Sequence, residues 1–173
     1  MDYLALACRV LVGVTFLAAV LGKVRDLDAF RSFTVSLRAL GWLPARLRRW
    51  VATITVGTEL SIVALVAWSP TAPAGLAVAA AAVGAFTAAM VDASRQGRPV
   101  RCRCLGGGEV WGRAHVVRNV LLGGAALLGL LAQATAARPQ PAGAIVAAGV
   151  AVVAALLLIH SHDLAYLLSS DRR

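Results

Sequence analysis

Long apolar segments constrain this chain more than any other feature of its sequence. Five blocks consist largely of apolar and small residues, and each is close to the roughly 20 residues that cross a bilayer as a helix. They cover residues 3–22, 51–68, 74–91, 116–134 and 142–160. The alternating pattern of a transmembrane β-barrel is absent from them. With 60% hydrophobic and only 14% charged residues, the sequence predicts an all-α integral membrane bundle of four to five transmembrane helices.

A shorter segment between the first two blocks has apolar residues at steps of three and four. These residues are Leu27, Phe30, Phe33, Leu37 and Leu40. The spacing places them on one face of a helix, which Asp26 or Asp28 can cap at its start and which Gly41 and Pro44 end. We expect a short amphipathic helix that either lies in the membrane interface or packs its apolar face on the bundle.

The connections between the blocks are short. The segments 69–75 and 137–143, which contain proline and glycine, leave no room for another domain, so we expect one membrane domain over residues 1–173. The last block has small residues at every fourth position, namely Gly143, Ala147, Ala151 and Ala155. Such a row lets two helices approach closely, and it predicts tight packing of the last helix.

Positive charge is distributed asymmetrically about the blocks. The chain has 17 lysine and arginine residues against 8 acidic residues, which gives a net charge of +9. All the basic residues except Arg9 and Arg138 lie in or beside the 23–50 loop, the 92–115 loop or the C-terminal segment. Basic loops of membrane proteins face the cytoplasm, so we expect an outside N-terminus and a cytoplasmic 92–115 loop. Because this rule accounts for the net charge, we expect no nucleic-acid partner.

One carboxylate lies in the middle of an apolar block. Glu59 lies in the middle of the segment TITVGTELSIVAL. A charged side chain at the centre of a spanning helix costs about 2.5–3.5 kcal/mol on insertion scales. Such a residue usually faces the bundle interior and finds a partner. Lys23, Arg118 and Asn119 are predicted in the same half of the bundle. The resulting polar cluster is either an interhelical clamp or a proton relay and polar pocket beneath the 92–115 loop.

Two cysteines stand one residue apart in that loop. Cys102 and Cys104 alternate with Arg101 and Arg103, and cationic neighbours lower the pKa of a thiol and so favour the reactive thiolate. A disulfide across so short a ring would be strained and readily reduced. The following glycines 106–108 allow the loop to reach a partner.

Three interpretations of the two cysteines compete. The first is thiol–disulfide exchange, which suits a cationic and exposed setting. The second is a soft-metal site, since His115, His160 and His162 are predicted on the same side of the membrane. The third is that the cysteines are incidental. Their spacing matches no standard zinc module.

Taken together, these residues resemble the methylamine utilisation protein MauE family, a redox-associated membrane group similar to DoxX-like proteins. The resemblance covers about residues 5–135, so that the helix at about 142–160 is an addition. It rests on an "LGK" turn, the "TEL" glutamate, a C-x-C-(F)-G loop and an "RN" pair. These fall on Lys23, Glu59, Cys102, Cys104, Gly106, Arg118 and Asn119. This chain has Leu105 where the family often has phenylalanine.

The resemblance implies a small helical bundle in the bacterial plasma membrane. It also implies a part in methylamine metabolism through disulfide formation in the small subunit of periplasmic methylamine dehydrogenase, or in another thiol partner. A periplasmic oxidase would need the thiol loop outside, whereas the arginine distribution places it in the cytoplasm. Either the loop exchanges electrons inside, or one apolar block does not span.

Our leading hypothesis is therefore a membrane thiol–disulfide redox protein. Cys102 and Cys104 would exchange electrons with a protein partner, while Arg101 and Arg103 would stabilise the thiolate. Glu59 and its polar neighbours would pass protons or contact a quinone; no nucleotide, haem or flavin motif is present. The alternative is a metal-handling or transport membrane protein that uses the C-x-C loop as a soft-metal site. A purely structural polar cluster is a third interpretation.

Overall fold

The computed structural model describes residues 1–97, 101–102, 109–110, 113–134 and 140–160, with the backbone alone described at 101–102, 109–110 and 113–114. The predicted all-α membrane bundle is confirmed, because all five apolar blocks are helices long and apolar enough to cross a membrane. The elements are α1 (Asp2–Val24), α2 (Leu27–Ser36), α3 (Ala45–Ala67), α4 (Ala72–Arg95), β1 (Arg101–Cys102), β2 (Glu109–Val110), α5 (Arg113–Gln133) and α6 (Pro141–Ile159).

Four of the helices form a ring in which each packs on two neighbours. α1 packs on α3 and α5, and α4 packs on the same two helices from the other side. The ring buries an apolar core made of Val12, Phe16, Ile62, Val66, Leu76, Ala79, Leu122 and Ala126. β1 pairs antiparallel with β2, with Arg101 opposite Val110 and Cys102 opposite Glu109, in the segment between α4 and α5.

The last helix lies outside the ring against α1. Its predicted close packing is confirmed, because Ala151 and Ala155 are buried. At Gly143 an added Cβ would lie 2.5 Å from the ring of Tyr3 on α1. Small residues on this face of α6 therefore allow close contact with α1, while its branched residues point outward.

Two exposed tryptophans mark the membrane-spanning part of α3. Trp50 and Trp68 are both exposed and stand 18 residues apart, which is about 27 Å along a helix. This matches the roughly 30 Å hydrocarbon core of a bilayer, and tryptophan is favoured at its two interfaces. Glu59 lies midway between them, nine residues from each. It is therefore at the centre of the span.

Arg9 of α1 caps the C-terminal end of α3. Its Nε and Nη2 atoms donate hydrogen bonds to the Val66 carbonyl oxygen at 3.1 and 2.9 Å, and Nη1 donates to Ser69 Oγ at 3.1 Å. The last carbonyls of a helix lack partners within the helix, and the guanidinium supplies donors in a fixed fork. This role accounts for a basic residue on the side of the bundle that has few of them.

The amphipathic helix α2 packs on the bundle, which was one of the two arrangements expected for it. Asp26 caps its start by accepting a hydrogen bond from the Ala29 backbone nitrogen at 2.6 Å. This bond, helped by Arg25, holds the pKa of Asp26 below its ordinary value. The buried members of the cluster beneath α2 are Phe33, Leu37, Leu40, Leu43, Ala52, Met90 and Ala93.

The end of α2 differs from the prediction. The α-helix ends at Ser36, before Gly41 and Pro44, and a 3₁₀ turn covers Leu37–Ala39. The tighter turn brings Leu40 into the same buried cluster as Leu37. Pro44 instead precedes α3 as its N-cap residue.

Replacing Gly75 by alanine should lower the melting temperature in detergent micelles. A Cβ there would lie 2.9 Å from both Leu65 Cβ and the Val66 backbone nitrogen, and backbone cannot move aside at low cost. Overpacking of this kind costs about 1–3 kcal/mol. Gly84→Ala on the same helix is the matched control, because an added Cβ there meets nothing within 4 Å. Equal melting temperatures for the two variants would contradict the close contact of α3 and α4.

Candidate functional site

A buried ion pair connects the end of α1 to the middle of α3. Lys23 Nζ donates hydrogen bonds to Glu59 Oε1 at 2.7 Å and Oε2 at 2.9 Å, and also to the Ala19 carbonyl oxygen at 3.4 Å. The side chains are 1% and 12% exposed. Removing charges from water is costly unless geometry and hydrogen bonding compensate. This pair meets that condition, since the ammonium contacts both carboxylate oxygens.

An aromatic ring of α2 covers the same lysine. Lys23 Nζ lies 5.1 Å from the centroid of the Phe33 ring, which is within the range of a cation–π contact. Phe33 is buried together with Leu37 and Leu40. The amphipathic helix thus closes the bundle over the ion pair on the side where α1 ends.

A cavity of about 290 Å³ opens beside Glu59, and all four helices of the ring contribute to its lining. Its polar lining residues are Thr15, Thr55, Thr58, Glu59, Arg118 and Asn119. Most of the remaining wall is apolar, with the rings of Phe16 and Phe86 among the larger groups. Thr15 and Thr55 donate their hydroxyl protons to backbone carbonyls of their own helices, as threonine often does inside apolar helices.

The two consecutive polar residues of α5 have different environments. Asn119 is buried, and its Nδ2 atom donates a hydrogen bond to Thr87 Oγ1 at 2.9 Å. Thr87 in turn donates to the Val83 carbonyl oxygen at 2.7 Å. Arg118 lines the cavity, and among the described residues none forms a hydrogen bond or ion pair with its guanidinium.

The residues of the predicted polar cluster lie near one another, but they form two separate sets of bonds. Lys23, and not Arg118, is the ion-pair partner of Glu59. Glu59, Arg118 and Asn119 line one cavity, while Asn119 is bonded to Thr87.

Sequence reasoning missed Thr87, the cavity threonines and the contact of Phe33 with Lys23. Hydroxyl residues inside apolar blocks would have indicated the threonines, because a polar group in lipid needs a partner.

The predicted thiol pair lies only partly within the described chain. Cys102 and Arg101 form β1, while Arg103 and Cys104 lie outside the described residues, as does His162. Cys8 is buried, and a Cβ added at Gly129 of α5 would lie 2.7 Å from its Cβ, which agrees with a packing role. Within the described ranges no three His, Cys, Asp or Glu side chains are grouped to hold a metal ion.

The sequence matches the family described as methylamine utilisation protein MauE over residues 1–132. No curated protein and no solved structure matches the chain. The matched part contains α1 to α5 up to Ala132 and ends before α6 begins.

Replacing Lys23 by methionine should destabilise the protein, because it leaves the Glu59 carboxylate buried without its counterion. Loss of one partner of a buried pair costs about 3–5 kcal/mol. The double variant Lys23→Met, Glu59→Leu removes both charges and should recover most of that loss. Thermal denaturation in detergent gives the melting temperatures of the wild type, Lys23→Met and the double variant.

The matched control for this cycle is Arg25→Met. Arg25 pairs with Asp26 at 3.3 Å in a contact where the side chains are 82% and 47% exposed, and such pairs contribute little. Its melting temperature should stay at the wild-type value. If Lys23→Met behaved like this control, the pair would not stabilise the bundle.

Proposed function

From its sequence match the chain belongs to the methylamine utilisation protein MauE family, and we propose that it serves methylamine utilisation as a membrane thiol–disulfide redox protein. It is a multi-pass membrane protein with several helices long and apolar enough to span. In the proposal, Cys102 and Cys104 form a redox pair that introduces disulfides into a protein partner. By family, that partner is the small subunit of methylamine dehydrogenase.

The position of the C-x-C segment supports this proposal. Cys102 is in the short ladder between α4 and α5, and α5 begins three residues after Val110. Arg118 and Asn119 are in the second turn of α5 and line the cavity that contains Glu59. The thiol segment therefore leads directly into the helix that supplies two polar groups to the membrane cavity.

The proposed exchange balances without any other reagent. A partner thiolate attacks one sulfur of the Cys102–Cys104 disulfide and forms a mixed disulfide. A second partner thiolate then attacks the partner sulfur of that bond, and the two cysteines of this chain leave as thiols. The partner is oxidised by two electrons and the pair is reduced by two. Arg101 and Arg103 lower the free energy of the thiolate leaving group, because they place positive charge beside it.

For the arrangement in the membrane we propose an outside N-terminus and a cytoplasmic thiol loop in the bacterial plasma membrane. Three spans precede the loop, so it lies opposite to residue 1. Nearly all basic residues lie on the loop side, which is the cytoplasmic side for multi-pass proteins. In this arrangement the thiol pair acts on the cytoplasmic side of the membrane. It would therefore have to react with a periplasmic enzyme before or during the export of that enzyme.

Replacing both Cys102 and Cys104 by serine should abolish disulfide formation in the partner, because serine cannot form the mixed disulfide. The measurement is the fraction of methylamine dehydrogenase small subunit that stays accessible to an alkylating mass tag in cells grown on methylamine. Cys8→Ala is the matched control, since Cys8 is buried and alanine keeps its Cβ. Wild-type maturation in the double serine variant would reject the thiol mechanism.

Labelling from the two sides of the membrane should establish where the loop lies. The chain has 3 cysteines, so a Cys8→Ala background leaves only the C-x-C pair. We expect a membrane-impermeant maleimide to label this variant in permeabilised cells and in inverted vesicles but not in intact cells. Labelling in intact cells would place the loop outside, in direct reach of a periplasmic partner.

A further inference from the structure

We infer that the cavity between α1, α3, α4 and α5 binds the head group of a membrane quinone, which accepts the electrons that the Cys102 and Cys104 thiols release. This inference rests on the proposed thiol chemistry for the source of the electrons. The binding site itself rests on the depth, opening and polarity of the cavity.

The cavity lies within the apolar thickness of the membrane. Glu59 is midway between the interfacial Trp50 and Trp68, so this part of the wall is about 13 Å from either interface at 1.5 Å per residue. Ile54 on α3 and Ala85 on α4 also line the cavity, and both are exposed. These residues are on helices whose outer faces contact lipid. A hydrophobic ligand can therefore enter from the bilayer without crossing water.

The lining suits a flat and mostly apolar ring that carries oxygen acceptors. The volume of about 290 Å³ is close to the lower limit of about 300 Å³ for small-molecule pockets. Phe16 and Phe86 provide aromatic surface against which a ring can pack. Arg118 supplies guanidinium donors from one wall, and the neighbouring Asn119 adds an amide group. A quinone ring matches this combination, because its carbonyl oxygens accept hydrogen bonds while its faces are apolar.

Charge balance favours a neutral ligand over an anionic lipid. The Arg118 cation faces the cavity, but the Glu59 carboxylate lines the same cavity. Lys23 contacts both oxygens of that carboxylate and offsets its charge, yet the carboxylate still stands between the lysine and the cavity. A phosphate or fatty-acid head group would meet this carboxylate as well as the arginine. A carbonyl oxygen accepts the arginine hydrogen bond without bringing a second negative charge.

The electron step is balanced as a two-electron exchange. The S–H bonds of Cys102 and Cys104 break and one S–S bond forms. Two electrons and two protons pass to the two quinone oxygens, which become the hydroxyls of the hydroquinone. The Arg118 cation stabilises negative charge that develops on the nearer oxygen, and the two protons come from the two thiols. The disulfide is then restored for the next partner.

The binding test uses purified wild-type protein in lipid nanodiscs and an azido-benzoquinone with a short isoprenoid tail. After illumination, peptide mass spectrometry should locate the label on lining residues of α3, α4 or α5. Competition with decylubiquinone measures its dissociation constant. Label confined to residues outside the cavity, or label displaced by dodecanoate and not by decylubiquinone, would overturn the quinone assignment.

Two pairs of variants test the site. Arg118→Leu should raise the dissociation constant about tenfold or more, which is the effect of losing a hydrogen bond from a charged donor. The exposed Arg95→Leu is its control and should bind as wild type. Ala82→Phe fills the cavity wall and should abolish binding, whereas Ala81→Phe, on the exposed face of the same helix, should not. Wild-type affinity in either folded variant, Arg118→Leu or Ala82→Phe, would overturn the site, so the test holds even if the other variant fails to fold.

Electron transfer is measured separately from binding. Reduced wild-type protein should reduce one quinone to hydroquinone per dithiol, which is measured as a loss of quinone absorbance. The Cys102→Ser, Cys104→Ser variant should bind quinone normally but reduce none. Bound quinone that wild-type thiols do not reduce would overturn the acceptor role. Partner maturation in cells is independent of these measurements. A failed quinone site with cysteine-dependent maturation would reject this inference alone, whereas quinone binding with cysteine-independent maturation would reject the proposed thiol function.

Discussion

The ion pair of Lys23 and Glu59 is the contact on which the arrangement of this bundle depends. Within a membrane, the hydrophobic effect provides no preference between a helix neighbour and a lipid chain, so a buried charge pair strongly influences how two helices are rotated. The lysine ends α1 and the glutamate is at the centre of α3. Their contact requires both helices to turn these faces inward. It also requires a cover at the end of α1, which α2 provides through Phe33.

The same pair determines the chemistry that remains available in the cavity. Lys23 and Glu59 offset each other, so Arg118 is the cation that faces the cavity without a bonded partner among the described residues. Asn119 is held by Thr87, which keeps α5 oriented against α4 and keeps the adjacent Arg118 at the wall. Among the described residues, the cavity wall therefore combines the Arg118 cation with the aromatic rings of Phe16 and Phe86.

Much of this architecture could be predicted from the sequence because the membrane makes apolar length a strong signal. The five spans, the cap at Asp26 and the inward Glu59 follow from hydropathy, capping and the cost of a charge in lipid. The choice of Lys23 over Arg118 as the partner of Glu59 could not be predicted. Both faces of a spanning helix are apolar, so the sequence pattern leaves its rotation undetermined, and a cavity depends on that rotation. The early end of α2 depends on how Leu40 packs, which is equally a tertiary property.

The family match ends between the helices that line the cavity and α6, which packs outside them. The ion pair, the β1–β2 ladder and every cavity group named above lie within residues 1–132. α6 begins after that boundary and packs on α1, and none of its residues is among those described as lining the cavity. Its buried Ala151 and Ala155 lie on the packed face, so it adds contact area to the helix that carries Lys23. Since α1 also contacts α3 and α5, extra support for α1 acts on the ring as a whole. The added helix therefore bears on the site through the stability of α1, while the groups that would meet a quinone or a thiol partner belong to the family's shared part.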